Sequence, residues 1–137
     1  MAIVEDNVDV FQVHPTYAVA ALMPDRDAVD KVIDTLDAAG DDQGAVEVMH
    51  GAEGLRILDQ RGRQHGAKAW LHRLVQSWTY YEQILGLYSE GLSRGEFLVV
   101  VPSSPQTRQR IGQFLVAQRG HGVYYFGFGT VESLTGP

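Results

Sequence analysis

Cysteine is absent from the 137 residues, which removes disulfide staples, thiolate metal sites and a cysteine nucleophile together. Long apolar runs are missing as well: no stretch approaches the ~20 residues that a helix needs to cross a bilayer. The first fifteen residues, MAIVEDNVDVFQVHP, hold no basic region followed by an apolar run, so no secretory leader is expected and the chain reads as cytoplasmic. Basic residues are few, 11 against 17 acidic ones. Affinity for a nucleic-acid backbone needs a dense cationic surface, so neither nucleic acid nor a membrane is an expected partner. Catalytic signatures are missing too. There is no G-x-S-x-G elbow, no H-E-x-x-H pair, and no glycine-rich phosphate loop between a strand and a helix.

What is present fits one domain with a core of useful size, 45% hydrophobic and 20% charged. The net charge of −6 is unevenly spread. Residues 1–55 carry 12 acids against Arg26 and Lys31, whereas residues 56–137 carry 5 acids against 9 basic residues. Such halves attract each other within a subunit or between subunits, unless the charge is simply a solvated face.

Residues 1–15 show no sustained period and read as an N-terminal arm, mobile or strand-like; residues 16–137 form the domain. TYAVAALM (16–23), ended by Pro24, reads as a buried strand. Asp25 then caps a helix whose Val29, Val32, Ile33 and Leu36 recur at helical spacing, with Gly40 as its stop. AVEVMH (45–50) alternates as an edge strand does, and EFLVVVP (96–102) is apolar without a break, as a central strand buried on both faces is. Ser104 before Pro105 predicts the cap of a second helix with Ile111, Phe114 and Leu115 inward and Gly120 at its end. VYYFGF (123–128) supplies the last strand. Strand, helix, strand, insertion, strand, helix, strand predicts an α+β ferredoxin-like sandwich, a four-stranded antiparallel sheet built from two βαβ halves.

The insertion, residues 52–93, reads as a short helix ending at Gly62, a turn, and a long helix from Ala67 to Leu92. On the long helix Leu71, Leu74, Trp78, Tyr81, Leu85, Tyr88 and Leu92 keep a 3-4 spacing, which specifies a partner surface. That partner is either the chain's own sheet or a second subunit. Two helices cover only one face of such a sheet, while its central strands are apolar on both. The long helix, the arm or a second copy must cover the other face, or a large apolar patch stays exposed. A homodimer is therefore expected, with Leu74, Trp78, Tyr81, Leu85, Tyr88, Tyr124, Phe126 and Phe128 as candidate interface residues. The stretch YYFGFGTV (124–131) imitates an RNA-recognition strand. It lacks a preceding basic residue and falls on the fourth strand, where period two puts aromatics on both faces.

The densest polar stretch is HGAEGLRILDQRGRQHG (50–66). Glu53, Arg56 and Asp59 share a helical face, and the glycines at 51, 54, 62 and 66 permit tight turns. Candidate ligand-binding residues are His50, Glu53, Arg56, Asp59, Arg61 and His65, folded around a small anionic ligand with Arg56 as the fork-shaped donor. The alternative is a surface ion-pair ladder. No metal is expected, because the spacing of His50, Glu53, Asp59 and His65 matches no ligand motif, and no cofactor is expected. A second use of the segment is enzymatic, with His50 or His65 as acid or base in a cavity lined by Trp70, Trp78, Tyr80 and Tyr81. Ser103, Ser104, Thr107, Arg108 and Arg110 stand at a strand-to-helix junction, where backbone N–H groups bind anions. His14 and His121 read as lone structural histidines.

YAVAALMPDRDAVDKVIDTLDAAG and YSEGLSRGEFLVVVPSSPQTRQRIGQFLVAQRGHGVYYFG resemble the general stress protein (heat-induced stress protein) family, in which a strand and helix start are followed after an insertion by Y…G…LVVV, a helix and HG. The likeness spans the first strand–helix unit and roughly the last 50 residues. The middle departs from it, with a polar HGAEGLR segment and an aromatic helix where that family commonly has an apolar glycine- and alanine-rich stretch. The resemblance implies a ferredoxin-like module linked to stress physiology, without a settled reaction and with no catalytic residues to carry over; the missing catalytic motifs, the heptad seam and the doubly apolar central strands lead us to expect a non-enzymatic module.

Overall fold

The computed structural model describes residues 3–6, 17–39, 45–58, 75–127 and 130–134; side chains are described for these except 3–6, 45, 75–82 and 130. The elements in chain order are β1 (Ile3–Asp6), β2 (Ala18–Met23), α1 (Arg26–Ala39), β3 (Ala45–Met49), a helix over 51–58 (α2), α3 (Val75–Ser93), β4 (Phe97–Pro102), α4 (Arg108–Ala117), β5 (His121–Gly127) and β6 (Thr130–Ser133). The fold is α+β. Five antiparallel strands run β3-β4-β2-β5-β6, and β1 adds to the β3 side in parallel.

This corrects the expected count of four strands. The four are there, in the middle of six strands among the described residues. β3 and β5 are not edges, because β1 pairs with one and β6 with the other. Alternation in AVEVMH reports one less-buried face, which an interior strand can also have: Val46 and Val48 are buried and Glu47 is half-buried. The arm supplies an edge strand, through Ile3–Asp6.

Two cores form because β2 and β4 are apolar on both sides. Val19, Ala21 and Met23 of β2 meet Ala28, Val29, Val32 and Leu36 of α1, Ile111 and Leu115 of α4, and Val123 and Tyr125 of β5. Ala18, Ala20 and Leu22 meet Ile57 and Leu58 of α2, Ile84, Tyr88 and Leu92 of α3, and Phe126. The second face of the sheet is thus covered by the chain's own α2 and α3. The described part of the heptad seam faces inward, with Tyr88 and Leu92 buried and Leu85 at the margin. Tyr88 and Phe126, expected at a subunit interface, lie inside this second core, and Tyr124 packs at its edge. Leu74 and Phe128 and the side chains of Trp78 and Tyr81 lie outside the described residues.

Helix ends follow local chemistry. Asp25 Oδ1 accepts the Ala28 N–H at 2.8 Å and caps α1, as its sequence predicts. The start of α4 is displaced from the expected cap at Ser104. Residues 105–107 form a turn, the Thr107 N–H donates to Ser104 O at 3.1 Å, and the helix begins at Arg108. At its other end Arg119 takes the left-handed conformation (φ 67°), and the Gly120 N–H returns to Leu115 O at 2.9 Å.

Candidate functional site

β2 and β3 end where β4 and β5 begin, so one end of the sheet collects the turns into α1, α2, β4 and β5. Chain geometry places polar groups there from four separate stretches of sequence. β3 delivers His50, and Gly51, at φ 67°, turns the backbone into α2, whose Gly54 N–H donates to His50 O at 3.0 Å. The His50 ring stacks on Phe97 at 5.1 Å between centroids, and the Arg26 guanidinium lies 5.3 Å from the same Phe97 centroid. Phe97 is half-buried against the first core, which holds this stack at the rim of the sheet.

Of the other candidate residues, Glu53 and Arg56 pair with each other across one helical turn at 2.7 Å, both about half exposed. This is the ladder geometry rather than a converging cavity, worth about 0–1 kcal/mol. Asp59, Arg61 and His65 lie outside the described residues, as does Trp70 with the side chains of Trp78, Tyr80 and Tyr81. The structure therefore brings His50 to Phe97 and Arg26, two residues that the sequence did not single out. Among the described residues no group of three or more His, Asp or Glu side chains could hold a metal ion.

Two further ionic groups share this end. Arg119 reaches Asp25 at 3.2 Å, tying the end of α4 to the start of α1. The Ala28 N–H holds the Asp25 carboxyl below its ordinary value of 3.8, with Arg119 and Lys31 adding to the effect against partial desolvation. A carboxyl lowered in the folded state contributes stability that is present above its unfolded value and lost as pH falls through its folded one. Asp25→Asn should therefore lower the melting temperature at pH 7, and the gap to the parent should shrink as pH falls below 3.8. A gap that stays constant down to pH 2 would remove the charge from this account.

The second group is Glu96, whose Oε1 accepts from Arg94 at 3.0 Å and whose Oε2 lies 2.8 Å from His121 Nε2. In sequence His121 stands alone, with no acidic residue near it. Glu96 and His121 are 25 positions apart, and only strand pairing joins them, so no local spacing could have shown the contact.

At the opposite end of the sheet, the hydroxyls of Ser103, Ser104 and Thr107 bond one another at 2.9 and 3.1 Å. Arg108 pairs with Glu132 at 3.0 Å and lies over the Tyr125 ring. Burial raises the Tyr125 phenol, whose hydroxyl has no partner among the described residues. Arg108 is thus engaged by a carboxylate rather than offered to an anion. No helix among the described residues is long and apolar enough to cross a membrane. No family model, no curated protein and no solved structure matches the chain.

Proposed function

We propose that the chain is a ferredoxin-like, non-enzymatic regulatory module of the stress-associated kind, self-associating, and binding a small anionic ligand at the sheet end that carries His50. The strand order supports the ferredoxin-like reading: the four central strands lie second, third, first, fourth, with a crossover helix in each half. The observation that carries the ligand reading is the stack of His50 and Arg26 with Phe97, beside the N-termini of α1 and α2. Two nitrogen-rich side chains held by a half-buried ring, with the N-terminus of α2 near them, suit a small carboxylate or phosphate. Arg56 of α2 is paired with Glu53 and joins this set only where an anion displaces that carboxylate.

Self-association rests on the uneven charge of the two halves and on the apolar surface that the two cores leave over. Val116 is 44% exposed on the outer side of α4, beside a groove of about 380 Å³ lined by Gly112, Ala117 and Leu134.

Thermal denaturation with inorganic phosphate and with citrate tests the ligand reading. The parent should gain melting temperature with anion concentration at constant ionic strength, Arg26→Ala should lose that gain, and Arg56→Ala should reduce it. An identical shift in all three proteins sinks the reading. Light scattering of the same samples tests the assembly, which a strict monomer at high micromolar concentration would rule out.

A further inference from the structure

Strand β5 contains an irregularity that changes where His121 points. Ala20 pairs with Tyr124, yet Leu22 pairs with His121, so two residues of β2 are matched by three of β5 and one residue is extra. Regular pairing would set His121 opposite Met23, on the face of α1 and α4. The bulge instead sets it opposite Leu22, on the face of α3, and that is where Glu96 stands, its Oε1 close to Gly91 of α3.

The molecule holds this irregularity in place at three points. Gly122 sits at φ 59°, in the left-handed region. A Cβ there would lie 2.9 Å from Leu87 Cδ2, so a side chain at this position needs Leu87 to move aside. The buried Tyr88 hydroxyl donates to the carbonyl of Gly122 at 2.9 Å, with Ala20 O at 3.3 Å beside it. Bulges commonly re-aim a side chain beside a working site.

The chemistry of the re-aimed pair is specific. Glu96 has an 18% exposed side chain and both its oxygens are engaged, one by Arg94, so it is a fixed acceptor. In the neutral ring the proton must then sit on Nε2, which leaves the Nδ1 lone pair available. Nδ1 has no partner among the described residues, and the His121 side chain is 45% exposed. A carboxylate that fixes the tautomer while the other nitrogen of a half-exposed ring stays unbonded is the arrangement of an acid–base dyad.

We propose that Glu96 and His121 form a reactive acid–base site in which His121 Nδ1 acts on small acyl compounds and Glu96 is the positioning residue. This replaces the non-enzymatic part of the reading above and leaves its anion-binding part untouched, since His50, Arg26 and Arg56 take no part. In the step tested, the Nδ1 lone pair bonds to the acyl carbon of p-nitrophenyl acetate, and p-nitrophenolate leaves with the electron pair of the broken C–O bond. The Nε2 proton passes to Glu96. Water then adds to the acyl carbon and acetate departs. Glu96 returns its proton to the ring, and both protons of the water go to solvent.

Release of p-nitrophenolate at pH 7.5 should be at least about fivefold faster with the parent than with His121→Gln, and Gln83→Ala, at an exposed position of α3, should match the parent. Glu96→Gln should slow the reaction and change its pH profile, while ring-nitrogen NMR shows His121 losing its single tautomer. Equal rates for the parent and His121→Gln would overturn the proposal, as would a proton found on Nδ1 of the neutral ring. Because His121 is half exposed, its replacement leaves both cores intact.

Discussion

Two glycines of one helix should respond to the same substitution with opposite signs. Gly86→Ala should stabilise the chain by up to about 1 kcal/mol, the ordinary difference in helix propensity, because nothing lies within 4 Å of the added carbon. Gly91→Ala gains the same propensity but places Cβ 2.6 Å from both methyl carbons of Leu22 and 2.8 Å from Glu96 Oε1. Leu22 is fully buried in an interior strand of the sheet. Overpacking of this kind costs about 1–3 kcal/mol, so the net should be a loss of about 1–2 kcal/mol. Urea unfolding of the two variants measures both values. In the background of Leu22→Val, Gly91→Ala should cost less, with a coupling of about 1 kcal/mol between the two sites. If Gly91→Ala proves as stabilising as Gly86→Ala, α3 does not lie against β2 as closely as described.

Gly122→Ala should be the most damaging single methyl group on β5. It forces a left-handed conformation, about 1–2 kcal/mol for a residue with a side chain, and it meets Leu87 at 2.9 Å. It also disturbs the carbonyl that accepts from Tyr88. Together these predict a loss of about 2–4 kcal/mol by urea unfolding. Gly95→Ala is the comparison: its φ of 90° carries the backbone penalty, but no atom lies within 4 Å of its Cβ. Amide exchange at residues 121–124 gives a second readout, since the bulge should open in Gly122→Ala and hold in Gly95→Ala. Should the two substitutions cost the same, the Tyr88–Leu87 pad is not what sustains the bulge.

Much of the fold could be read from the chain because it rests on short-range patterns. The unbroken apolar character of AVAALM and FLVVV carried the central strands, and 3.6-residue spacing carried the stripe of α1. The count of strands was not readable. β1 offers only IVED, and its place beside β3 comes from a pairing across more than 40 positions. The heptad spacing of the long helix was readable, but a seam does not say whether it faces a sheet or a second chain; Leu22, Ile57 and Phe126 decide that for its described half.

The site was less legible still. His50, Glu53 and Arg56 drew notice because charge and glycine are dense around them, and density is not convergence. Phe97 and Arg26, which hold His50, looked like an ordinary strand start and helix start. His121 reads as a lone structural histidine because no acidic partner stands near it in sequence, and a one-residue bulge that re-aims it is invisible to any periodicity argument.

The place of β2 in the sheet has a bearing on how the chain is made. Its two neighbours are β4 and β5, which begin 79 and 103 positions after Ala18. A growing chain therefore presents a fully apolar strand long before either partner has left the ribosome. Closing those loops is slow, and an unpaired apolar strand invites association with other chains in the interval. The acidic first 55 residues surround that strand with like charge, so mutual repulsion between nascent chains works against aggregation until the C-terminal half arrives.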